Sequence, residues 1–139
     1  MTWQIWAILS AVFAAMTAIL AKVGVQNVNS DFATFVRTIV VLVALGAILA
    51  ATGQYQRLGS VSARTYMFLT LSGLATGASW VCYFRALKLA NASLVAPIDK
   101  LSVVLVAILG VAFLGEKLLT RNWVGIILIA IGAVLVGLK

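Results

Sequence analysis

Five long apolar stretches, over about residues 3–21, 32–52, 65–89, 93–115 and 122–138, fill most of this 139-residue chain. A helix crosses the roughly 30 Å hydrocarbon core with about 20 apolar residues at about 1.5 Å each. Every stretch is near that length, and the connections between them are short. Period-2 alternation is absent, and the runs are too long for barrel strands. The pattern predicts an all-α, five-helix integral membrane bundle, multi-pass in the cell (inner or plasma) membrane, forming a single transmembrane domain over residues 1–139.

Composition removes the soluble alternatives. Hydrophobic residues make up 64% of the chain and charged ones 9%; a soluble domain averages about 45–50% and 25%. A chain this short has too little interior to hide that much apolar surface, so lipid is its solvent. The net charge of +7 sits mainly at the ends of the apolar runs, where cations anchor helices among headgroups, and so points away from nucleic acid. With no histidine and one cysteine, Cys82, read as an inert buried hydrophobe, the chain offers no metal site, cofactor motif or catalytic constellation. Trp3, Gln4 and Trp6 read as interfacial residues that open the first span. Asn91 and Thr120 are the expected helix caps.

An odd number of spans places the chain ends on opposite sides of the membrane. Arg57, Arg64, Lys117 and Arg121 flank one side, and Lys22, Arg85, Lys88 and Lys139 the other. Orientation follows the side richer in Lys and Arg. Four against four, or four against six once the deeper Arg37 and Lys100 are added, is a weak bias that favours insertion in both orientations; a single orientation fixed by lipid composition or one dominant loop is the alternative.

Charges inside the spans mark a layer. Arg37, Arg85, Asp99 and Lys100 lie four to seven residues from the ends of their runs, about 6–10 Å inside the boundary and all towards one side. Such residues face a partner or a watery cavity. Three roles are open to them: a structural Arg85–Asp99 pair with Arg37 and Lys100 snorkelling to headgroups, a cationic site for an anionic or zwitterionic solute, or Asp99 as the proton carrier that couples transport. Trp80 and Tyr83, about one turn from Arg85, either stack on a solute or form part of an interfacial aromatic belt. Pro97 removes a backbone hydrogen bond to Ser93 and is expected to kink its helix beside the layer. Gly73, Gly77 and Ser79 form a small face on the third run, suited to close packing or to lining a cavity.

The segment from Ala92 and Ser93 through Pro97, Asp99 and Lys100 to Gly115, Glu116, Lys117 and Thr120 resembles the fourth helix of the EamA branch of the drug/metabolite transporter superfamily. The Phe35-Val36-Arg37 stretch is similar to that family's second-helix arginine. Gly125, Gly132, Ala133 and Gly137 on the last run resemble the dimerising helix of small multidrug resistance relatives. Most members of the family resemble two five-helix units fused in inverted orientation. The resemblance therefore implies a secondary transporter, exporting a small polar or drug-like solute by alternating access as an antiparallel homodimer or paired with a related chain. A non-transporting scaffold subunit and a lipid-headgroup flippase are the alternatives. Glu116, in the motif that ends the fourth helix, is expected to pair with Lys117, Arg121 or a partner chain.

Overall fold

The computed structural model describes residues 2–138, so the flanking cation Lys139 lies outside the described residues. These residues form six helices: α1 (Trp3–Gly24), α2 (Ser30–Thr52), α3 (Ala63–Leu89), α4 (Ala92–Asp99), α5 (Ser102–Leu114) and α6 (Thr120–Gly137), with a 3-10 turn at Leu58–Ser60. Five segments are long and apolar enough to span a membrane, α4 and α5 together counting as one. No strand occurs among the described residues. The chain divides into two units, Ala21–Lys88 and Met1–Leu20 with Leu89–Lys139.

Within the first unit, local chemistry sets where the helices begin and end. The Asn29 side chain accepts from the Asp31 and Phe32 N–H groups at 2.9 and 3.2 Å and so caps α2. Gly53, at φ 64°, ends it in the left-handed conformation. Ser62 accepts from Thr65 N–H at 3.1 Å at the start of α3. Inside the spans, hydroxyls turn back on their own helix: Thr34 donates to the Ser30 carbonyl, Thr38 to that of Thr34 and Thr76 to that of Ser72. Hydrocarbon offers these groups no water, so the nearest carbonyl serves.

The second unit packs through small residues. Ala92 and Val95 of α4, Ala107 and Gly110 of α5 and Ala133 of α6 are buried, and α6 lies on both α4 and α5. Lipid is as apolar as leucine, so close backbone approach rather than the hydrophobic effect holds such helices together. The run expected at residues 93–115 is broken. Lys100 N–H bonds to the Pro97 carbonyl and Leu101 N–H to that of Ile98, each at 3.0 Å, and this tight turn separates α4 from α5. Pro97 lies inside α4, and the helix gives way two residues beyond it, at Asp99.

Several local expectations are corrected. Cys82 is exposed rather than buried; on a helix apolar all round, many such positions face lipid instead of protein. Asn91 precedes α4 without a side-chain capping bond, and Thr120 is the first residue of α6 with Leu119 at the cap position. Of the two roles open to the small face of α3, close packing is not seen at its glycines, since a Cβ added at Gly73 or Gly77 would meet nothing within 4 Å.

Candidate functional site

The charged layer of the Ala21–Lys88 unit is built where the end of α3 meets the start of α2. Asp31 stands in the first turn of α2, where the helix dipole favours an acid. Arg85 grips it with two hydrogen bonds, Nε to Oδ1 at 2.9 Å and Nη2 to Oδ2 at 2.6 Å. This fork-on-carboxylate arrangement is the strongest geometry open to the pair. Beside it, two lysines close the same end. Lys22 Nζ donates to the Leu87 carbonyl at 2.7 Å, and Lys88 Nζ donates to the Val28 carbonyl at 2.8 Å. Leu87 and Val25 are fully buried. The Lys22 cation thus meets a carbonyl at the negative end of α3.

About 9 Å deeper along α2, six residues on from Asp31, lies Arg37. Its guanidinium carbon lies over the Trp80 ring at 4.2 Å from the centroid and 5.5 Å from that of Phe84. Trp80 and Phe84 are four apart on α3 and so share a face. Phe84 is buried, while Arg37, Trp80 and Tyr83 are half-buried. The ring quadrupoles attract the cation without neutralising it. Among the described residues, no acid pairs with Arg37: the ion pairs are Arg85–Asp31 and Lys100–Asp99.

The structure therefore gathers Arg37, Trp80, Tyr83 and Arg85 along one α2–α3 hairpin. It corrects the expected Arg85–Asp99 pair. Asp99 and Lys100 belong to the other unit, adjacent at the break after α4, 3.4 Å apart and exposed. Asp31 and Phe84 are the residues of this candidate site that sequence reasoning misses. Asp31 falls in the connection between the first two apolar runs, although it is the only acid between residues 21 and 88. Phe84 is legible only through its four-residue spacing from Trp80.

The arrangement can hold and orient a polar group at a half-buried cation with an aromatic wall. Across residues 1–138 the chain matches the model of the EamA-like transporter family. The chain belongs to that family. A relative from Sinorhizobium sp., named "Uncharacterized transporter in cobO 3'region", is 63% identical over 134 residues, 96% of this chain and 95% of the relative. No solved structure matches the chain. This EamA-family protein is thus a multi-pass membrane transporter.

The motifs that carried the family resemblance have definite places in this transporter. Gly115 ends α5 at φ 68°, and Glu116 N–H bonds back to the Gly110 carbonyl at 3.1 Å. The Glu116 carboxylate folds over Gly110, where a Cβ would stand 2.7 Å from Oε2. That corrects the expected pairing with Lys117 or Arg121: the left-handed turn returns the side chain to its own helix. On α6, Ala133 is buried, and a Cβ at Gly137 would meet Ile98 at 3.0 Å. Ala133 therefore packs within the unit, while Gly137 is exposed and approaches Ile98 on one side only. Gly125 and Gly132, seven apart on the same helix, are open: a Cβ at either would meet nothing within 4 Å.

Proposed function

We propose that two copies of this EamA-family transporter insert in opposite orientations and export a small polar solute by alternating access, in the inner or plasma membrane. The Arg37–Trp80 layer is the solute site of that reading. The observation that carries it is Arg37 itself, a cation inside an apolar span that rests on aromatic rings and has no acid paired with it among the described residues. A cation kept at that depth for structure alone is expected to have an acidic partner, as Arg85 has in Asp31.

Three observations support pairing of copies. The Sinorhizobium relative is also about one five-helix unit long, since 134 matched residues are 95% of it. The flanking cations are nearly balanced between the two sides. The Gly125–Gly132 face of α6 is open to close approach by a second helix.

Flux in proteoliposomes tests the site: Arg37→Ala or Trp80→Phe should cut transport without changing helix content, and unchanged flux in both would refute it. The orientation is tested separately by replacing Cys82 with Ala, introducing Ser60→Cys between α2 and α3, and labelling intact vesicles from each side. Labelling from both sides is expected. Labelling from one side only would remove the antiparallel homodimer.

A further inference from the structure

We infer that the solute group recognised at Arg37 is an anion, a carboxylate or a phosphate, gripped by the guanidinium edge while Trp80 backs its face. The inference rests on reading the Arg37–Trp80 layer as the solute site.

Charge accounting leads there. Residues 21–88 carry six basic side chains, Lys22, Arg37, Arg57, Arg64, Arg85 and Lys88, against one acid, Asp31. That acid is taken by Arg85. The chain's other two acids belong to the other unit, where Asp99 lies beside Lys100 and Glu116 over Gly110. Lys22 and Lys88 each donate to a backbone carbonyl. Arg64 also lies over a ring, Phe68 at 5.8 Å, but it is exposed; Arg37 differs in being half-buried inside a span, over Trp80 and Phe84. Among the described residues no acid pairs with it, and for a half-buried charge an opposite charge gains more than it would in bulk water.

Geometry selects the kind of anion. Stacking engages the face of a guanidinium and leaves its in-plane N–H groups as a rigid fork. Paired oxygens of a carboxylate or phosphate match that fork. An ammonium or a neutral hydroxyl gains nothing comparable from it. The oxygens come either from a soluble organic anion or from a lipid headgroup, and the test separates the two.

The full chain is placed in phosphatidylcholine nanodiscs and titrated with sodium benzoate while tryptophan emission is read. Trp80→Phe, measured alongside, isolates the Trp80 signal from Trp3, Trp6 and Trp123. A saturable Trp80 response to benzoate, absent with benzyl alcohol and benzylammonium, is expected. Arg37→Gln should weaken it about tenfold or more, the range for losing a hydrogen-bonded charge. Arg37→Lys, which keeps the charge and loses the fork, should fall in between, and it carries the test if Arg37→Gln does not fold. Equal responses to the three probes, or benzoate affinity unchanged by both substitutions, would overturn the inference. If phosphatidylglycerol in the disc abolishes the benzoate response competitively, the anion is the phosphate of a headgroup without the neutralising choline of phosphatidylcholine, and the assignment of Arg37 stands. Benzoate binding without flux of any solute would sink the transport reading alone. Flux of a cation indifferent to both Arg37 substitutions would sink the anion inference alone.

Discussion

Arg85 and Asp31 stand 54 positions apart in sequence, yet they are joined by two hydrogen bonds that tie the end of α3 to the start of α2. Both side chains are half open, at 60% and 47% exposure, so the pair works as a register pin at the membrane boundary more than as a buried ion pair. Arg37 against Trp80 repeats the same antiparallel register deeper in the hairpin.

A double-mutant cycle checks the pin. Arg85→Ala and Asp31→Asn should each lower the melting temperature slightly, and the double variant should lie no lower than the worse single one. Contacting residues are non-additive in this way. Full additivity, read by thermal unfolding in detergent, would show that the bond carries no energy of its own.

Leu87→Ala should be more damaging than any change to a charged residue of this layer. Leu87 is fully buried where the Lys22 and Lys88 bonds close the unit. Removing such a side chain costs about 2–5 kcal/mol in soluble cores. Lipid supplies little hydrophobic drive, so the lower end, about 2 kcal/mol, is expected here. Equilibrium unfolding in mixed micelles measures it.

Adjacent residues on α6 should respond in opposite ways. Ala133→Leu overfills a buried position and should cost the folded chain about 1–3 kcal/mol. Gly132→Leu enters open space, so it should leave the melting temperature alone while reducing crosslinking between copies. Loss of stability in Gly132→Leu, or loss of crosslinking only in Ala133→Leu, would contradict the two-face assignment.

At the turn after α5, Gly115→Ala should cost about 1–2 kcal/mol, because a Cβ is strained at φ 68°. Gly110→Ala should cost less, since the obstacle is the movable end of the Glu116 side chain. Adding Glu116→Ala should restore Gly110→Ala and leave Gly115→Ala unrepaired. Melting curves of the four variants decide this.

The span pattern was legible in the chain because hydropathy is a local sum: enough consecutive apolar residues dictate a helix in lipid whatever lies beside it. Composition likewise settled the membrane as solvent, and the motif from Ala92 to Thr120 pointed to the family that the comparison with known proteins identified. The sequence could also place Arg37, Arg85 and Asp99 at similar depth. It could not choose their partners. Partner choice depends on the rotation of each helix about its own axis, about 100° per residue, and helices apolar on every side carry no amphipathic stripe to set that rotation. Only the tertiary structure turned Arg85 to Asp31 instead of Asp99, seated Arg37 on Trp80 and Phe84, and buried Ala133 inside the unit while leaving its neighbour Gly132 open.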